Sequence, residues 1–258
     1  MLNVIINGVN GRMGAELRAA VEAEKDMQII AGFDKRFGDA PLPFKFYTNP
    51  ADCAYGADVV VDFSHFTAIP ALLEYCLRTE TPVVVATTAL GDAERALVES
   101  ASAKIPVFAS ANMSLGVSVV LHASKLAASA LESDFNIEIV EKHHKEKEDS
   151  PSGTALMIAE AINGALAVKK DFVFGRHGTS DECKLTDLGI HAVRGGALPG
   201  EHSILFLGPG ETIEIKHTVF SRGVFALGAV KAARFVAGKA PGLYGMDDLI
   251  AESASRLD

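Results

Sequence analysis

The sequence predicts an α/β chain, in which a parallel sheet covered on both faces is joined to an α+β segment built on an open, mixed sheet. Three observations carry this. Up to Asn112, short β-rich runs alternate with longer helical patterns, as βαβ units require. Two of the runs, VVVDF from Val59 and PVVVA from Pro82, are apolar without alternation, the mark of strands buried on both faces. Beyond Asn112 the rhythm changes to runs of strands separated by turns.

Taken in order, the strand-like runs of the first part are LNVIING, MQIIAGFD, ADVVVDFS, PVVVATT and IPVFASA. The helical stretches between them are MGAELRAAVEAE, AIPALLEYCLRTE and DAERALVESASA. A helix over SVVLHASKLAASALES then leads to the strand NIEIVEKHH, a second helix from Pro151 to about Ala167, and the strands FVFGRHG, LGIHAVRGG, EHSILFLGPG and ETIEIKHTV. In the last of these, Ile213, Ile215 and His217 alternate with Glu214 and Lys216, which predicts one buried face. From Arg222 the pattern is helical again, through VFALGAVKAARFVAG and MDDLIAESASRL, and this tail is expected to fold back onto the first part. The predicted domains are therefore 1–113 with 222–258, and 114–221.

Bulk properties narrow the function. The 258 residues are 48% apolar, ample for a packed core, and the net charge of -9 disfavours nucleic acid or an anionic membrane as partner. An anionic ligand must then be met by a local cluster of cations. Cys53, Cys76 and Cys183 are odd in number, widely spaced and without a CxxC pair, which argues against disulfides and structural zinc and for a reducing, cytoplasmic setting. No signal peptide is expected, because the chain opens directly on a strand-like run, and no apolar run reaches the roughly 18–20 residues that span a bilayer.

The first motif is INGVNGRMG, between the first strand and the first helix. Gly8 suits a tight turn, Gly11 a close approach of backbone to a pyrophosphate, and Gly14 the packing of helix on strand, with the helix N-terminus directed at phosphate. Its GxxGxxG spacing alone also suits a plain βα turn. Asp34 adds an independent sign: it ends the second apolar run 20 residues after Gly14, where a carboxylate accepts from ribose hydroxyls. Lys35 and Arg36 follow it, cations suited to an additional phosphate, so a Rossmann-type domain using NADH, NADPH or both is expected.

The second motif is EKHHKEKEDSPSGTAL, from Glu141. Asp149-Ser150-Pro151 reads as a helix cap with proline in the first turn, which places Ser152, Gly153 and Thr154 where backbone N–H groups can receive a carboxylate. His143, His144, Lys145 and Lys147 arrive at the same end from a strand. Imidazole, ammonium and helix N-terminus together suit a small dianion and proton donation. A metal site is the weaker reading, since adjacent histidines on a strand face opposite ways and no HxH, HxxxH or HExxH spacing occurs. His191 reads as a structural strand histidine, and Arg194 as either a carboxylate binder or a partner of Glu201.

These two motifs, with FASANMSLGV, GIHAVRGGALPGEH, ETIEIKHTVFSRGVFALGAVKAA and GLYGMDDL, resemble the dihydrodipicolinate reductases (4-hydroxy-tetrahydrodipicolinate reductases) of the diaminopimelate and lysine pathway over nearly the whole chain. The resemblance implies a nicotinamide-dependent reduction of a cyclic imine dicarboxylate to tetrahydrodipicolinate by a homotetramer, and a site split between two domains is expected to need hinge closure. It assigns His143 as proton donor and acceptor, Lys147 as proton donor, and His144, Gly153 and Thr154 to the substrate. It assigns the cofactor to Gly8, Val9, Asn10, Gly11, Arg12 and Met13, to Asp34, to Ala86, Thr87 and Thr88, to Ser110, Ala111, Asn112 and Met113, and to Arg222; Lys35, which follows Asp34, is a cation read above as a phosphate contact. Where the family usually reads GTTG, this chain has Ala86-Thr87-Thr88-Ala89, so two positions lose glycine's access to positive φ. Two competing readings are a reductase of another small anion and a nucleotide sensor without turnover.

Overall fold

The computed structural model describes residues 1–38, 41–179 and 182–255. The chain opens with β1 (Leu2–Asn7), α1 (Arg12–Glu22), β2 (Met27–Phe33), β3 (Lys45–Tyr47), β4 (Val59–Asp62), α2 (Ile69–Arg78), β5 (Val83–Val85), α3 (Asp92–Ser102) and β6 (Pro106–Ala109). It continues with α4 (Leu115–Leu131), β7 (Asn136–His143), α5 (Gly153–Ala165), β8 (Asp171–Val173), β9 (Asp187–Arg194), β10 (Gly200–Leu207) and β11 (Thr212–Val219). It closes with α6 (Gly223–Val236), β12 (Gly242–Tyr244) and α7 (Met246–Ala254). These elements form two compact units, Met1–Leu115 with Arg222–Asp258, and Gly116–Ser221. The helical pattern read to Leu257 runs past the described residues at 256 and 257.

The first unit is a seven-stranded sheet in the order β12-β6-β5-β4-β1-β2-β3, with every pairing parallel. The unbroken apolar strands are explained by two separate cores. Val4, Ile6, Val59, Val61, Val84 and Phe108 face α1 and α6 on one side. Ile5, Val60, Val83, Val85 and Val107 face α2 and α3 on the other, so successive residues of each strand are both buried. Strand order reverses between β1 and β4, the crevice at which doubly wound sheets bind ligands. The tail does return here: β12 pairs with β6, and α6 packs on the sheet. Strands β3 and β12, three residues each, carry too little pattern to be read from sequence.

The second unit is a mixed five-stranded sheet, β11-β10-β7-β9-β8. Register places Ile139 opposite Ile204 on β10 and Ile190 on β9, and this face packs against Val120 and Ala128 of α4 and Ala155, Ile158 and Ile162 of α5. Directly paired residues share a face, so the same side of the sheet continues past the apolar rows as Glu141 beside His202 and then His143 beside Arg194. The buried face read for β11 is only half realised: Ile213 is exposed and Ile215 half-buried, because β11 is an edge strand.

Candidate active site

The nucleotide-type turn follows from its glycines. Gly8 has φ +79°, and a Cβ there would stand 2.8 Å from the Phe63 carbonyl oxygen. A Cβ on Gly14 would collide with the Gly8 carbonyl and the Val9 backbone, so helix α1 reaches its position only without a side chain there. The Asp34 carboxylate accepts from the backbone N–H groups of Asn10 (3.0 Å) and Arg36 (3.1 Å), and the Asn10 amide donates to the Arg36 carbonyl at 2.7 Å. Together these tie the glycine turn to the loop after β2. Between them lies a cleft of about 730 Å³ lined by Gly8, Gly11, Asp34, Lys35, Arg36, Ser64 and His65, among others. A Cβ-free cradle at a helix N-terminus with a carboxylate beside it fits an adenosine pyrophosphate.

The remaining residues read as cofactor-binding lie outside the lining of this cleft. Arg12 and Met13 lie in the first turn of α1, whereas Val9 is fully buried in the core. Thr87 is buried and donates to Asp62 Oδ2 at 2.6 Å; Asn7 Nδ2 donates to Oδ1 of the same carboxylate at 2.8 Å. Burial is the strongest influence on Asp62 and pushes its carboxyl above the usual range, against these donors. Thr88 is exposed. Ala86 is buried without an unusual backbone, but Ala89 takes φ +58°, so one of the two lost glycines does leave a strained alanine. Ser110 to Met113 form the turn after β6, in which Ser110 Oγ donates to the Asn112 carbonyl at 2.8 Å and Met113 is buried. Arg222 is the exposed residue that caps α6.

In the second unit the EKHH stretch is the C-terminal end of β7. Glu141 has no exposed surface, and its carboxylate receives two donors from Arg194, at 2.7 Å each, together with the Ser152 N–H at 3.0 Å. Burial alone drives this carboxyl up, yet Arg194, His143 and Ser152 outweigh it and hold it below the usual value. Glu141 Oε2 lies 2.6 Å from His143 Nδ1. Burial dominates at His143 and lowers its pKa despite Glu141, with Lys147 and Arg194 acting in the same direction as burial. Arg194 is thus bound to Glu141 and not to Glu201, because β9 lies parallel to β7 with Arg194 beside His143. Glu201 instead pairs with Lys142 and Lys216 on the other face. His191 is structural: its Nε2 lies 2.6 Å from Glu138, which also binds Arg176.

Helix α5 starts later than read. Its cap is Ser152, whose Oγ accepts from the Ala155 N–H at 3.1 Å; Pro151 precedes the helix rather than sitting in its first turn. The Ser152 hydroxyl also lies 2.9 Å from His202 Nε2, a buried histidine lowered from the usual 6.5 to about 4, chiefly by burial. Asp149 reaches the helix end from the loop. One of its oxygens accepts from Lys147 Nζ at 2.7 Å and the other from the Gly153 N–H at 3.3 Å. Lys147 and the helix N-terminus are therefore spaced to share one carboxylate. His144 is half-buried, with its backbone N–H on the Leu198 carbonyl, and Thr154 lies in the first turn of α5. Sequence reasoning did not join Arg194 to Glu141 or His202 to Ser152, since these meetings depend on strand register.

A dinucleotide-type sheet in one unit and an anion-directed cluster of imidazole, ammonium and helix dipole in the other is the division of labour of two-domain nicotinamide-nucleotide oxidoreductases. Comparison with known proteins narrows the class. Residues 2–113 match the family model described as dihydrodipicolinate reductase, N-terminus, and residues 116–250 the one described as dihydrodipicolinate reductase, C-terminus. Proteins called 4-hydroxy-tetrahydrodipicolinate reductase are 48% identical over 250 residues in Caldanaerobacter subterraneus subsp. tengcongensis and 42% over 250 residues in Clostridium tetani, covering 97% of this chain in both cases and 98% and 97% of theirs. Among solved structures, a dipicolinate-bound dihydrodipicolinate reductase from Paenisporosarcina sp. TG-14 superposes with a TM-score of 0.79 at 24% identity, covering 96% of this chain and 99% of that one. The chain belongs to the dihydrodipicolinate reductase family. No helix among the described residues is long and apolar enough to cross a membrane, and no group of three or more candidate metal ligands occurs among them.

Proposed function

We propose that this protein reduces the dihydrodipicolinate species derived from 4-hydroxy-tetrahydrodipicolinate to tetrahydrodipicolinate, the reductive step of diaminopimelate and lysine biosynthesis, with NADH, NADPH or both as reductant. The observation that carries the reading is the Asp149 carboxylate, which occupies the place a substrate carboxylate would take, between Lys147 Nζ and the Gly153 N–H. Lys147 and the amides of Gly153 and Thr154 hold one carboxylate and stabilise the charge that develops on reduction. His144 and the Ser152 cap are assigned to the same substrate. His143, neutral in its resting state, accepts and returns a proton, and Lys147 donates one.

A reduced nicotinamide, when bound, supplies the hydride to a ring carbon of the imine. The residues to hold it are those of the glycine turn, Gly8 to Met13, with Asp34 at the ribose, Lys35 beside it, the loop Ala86 to Thr88, the turn Ser110 to Met113, and Arg222. A cytoplasmic homotetramer completes the reading; its support is the edge strand β11, whose apolar alternation is left partly exposed at Ile213. The test is Lys147→Ala. Turnover is expected to fall at least about 100-fold, the scale of a lost general acid, with nucleotide binding retained. Undiminished kcat would remove Lys147 from the mechanism.

A further inference from the structure

Glu141 has no surface to meet a ligand and is not among the residues that the family resemblance assigns, yet it is the most heavily bonded side chain in the second unit's site. Arg194 grips both of its oxygens, the Ser152 N–H adds a second donor on Oε1, and His143 Nδ1 lies 2.6 Å from Oε2. A carboxylate held ionised by a bidentate guanidinium has no proton to give, so the short contact requires that Nδ1 carry the hydrogen and donate it. The other ring nitrogen is then a lone pair. Among the described residues Nε2 has no hydrogen-bond partner, and it is not one of the sealed, unpartnered nitrogens, which include the Nδ1 atoms of His144, His202 and His217. A Cβ at Gly200 would stand 2.9 Å from it, so that glycine leaves the nitrogen room.

We propose that Glu141, locked in place by Arg194, is the positioning residue of the reaction: it fixes His143 in the Nδ1–H tautomer and presents Nε2 as the proton-accepting atom. The proposal rests on the reading of His143 as the acid–base group. Arg194 does a second job in this arrangement. It spends the carboxylate's charge on itself, so Glu141 orients the imidazole without holding a second proton on it. The charged and titratable groups around the ring are Glu141 on its own strand, Arg194 on β9, His202 on β10 (ring centroids 5.2 Å apart), and Lys147, itself paired with Asp149, on the following loop.

The two partners are separable by mutation. In Glu141→Gln, the single amide oxygen is claimed by Arg194 and the Ser152 N–H, which turns the NH2 toward His143 and favours the opposite tautomer. In Arg194→Met, Glu141 keeps its orientation but its charge is unopposed, so the imidazole holds its proton to higher pH. The experiment is NMR of the full chain with 15N-labelled histidine, titrated from acid to neutral pH, alongside steady-state kinetics. The expected results are the Nδ1–H form of His143 in the wild type, its inversion in Glu141→Gln with kcat lowered about 10²–10⁴-fold and KM little changed, and an upward shift of about one pH unit in Arg194→Met. Glu141→Asp, which keeps acceptor and charge, should restore the tautomer and part of kcat. If Glu141→Gln does not fold, the wild-type tautomer and the Arg194→Met titration decide. An Nε2–H wild type, or variants that leave ring and kcat untouched, would overturn the proposal while leaving the reductase reading intact. A wild type with the stated tautomer but no turnover would overturn the reductase reading, and with it the catalytic part of the proposal, leaving only the tautomer assignment.

Discussion

His202 ties the site to stability. Its pKa is lowered from the usual 6.5 to about 4, so between those values the unfolded chain binds more protons than the folded one, and acid favours unfolding. The folded state is free of this penalty above about pH 6.5, loses stability as pH falls through that window, and by pH 4 has lost roughly 3 kcal/mol to this one group. Denaturant midpoints measured from pH 7 to pH 4 should therefore flatten in His202→Gln relative to the wild type; an unchanged slope would mean that His202 is protonated at little cost in the fold. A second residue-scale expectation concerns Ala89, held at φ +58°, where Ala89→Gly should raise stability by about 1 kcal/mol. At this scale the sequence displayed His143, Lys147 and Asp34 because each sits in a dense local motif. The pairs Glu141–Arg194 and Ser152–His202 were illegible, since their members lie 53 and 50 positions apart and meet only through the β7, β9 and β10 register.

Elements were legible where their patterns are dense. The parallel strands Val59–Asp62 and Val83–Val85 show continuous valines because both faces are buried, and α1 follows its glycine turn because Gly14 lets it approach β1. Gly14→Ala should force α1 off the turn, at a cost of roughly 1–3 kcal/mol and with weakened nucleotide binding, whereas Gly164→Ala, in open space on α5, should be neutral or stabilising. Comparing melting temperatures and nucleotide affinity for the two variants checks this. The start of α5 was misread by two residues because Asp149, Ser150 and Ser152 are all good caps; only Ser152 has its hydroxyl on the Ala155 N–H. Replacing it with alanine should cost at least about 1 kcal/mol, since the cap is lost and His202 Nε2 loses its neighbour.

For the molecule as a whole, a net charge of -9 leaves recognition of an anion to local geometry, and both units supply it at a helix N-terminus: α1 after the glycine turn, α5 beside His143 and Lys147. The association expected of β11 is checked by light scattering, which should return four times 27.2 kDa. The central claim is catalytic. It is tested most directly by following nicotinamide absorbance with the purified protein, NADH and NADPH in parallel, and substrate generated in place by a synthase acting on pyruvate and aspartate semialdehyde. Rapid, protein-dependent oxidation of at least one cofactor is the result the account predicts. Binding of both nucleotides with neither consumed would contradict it.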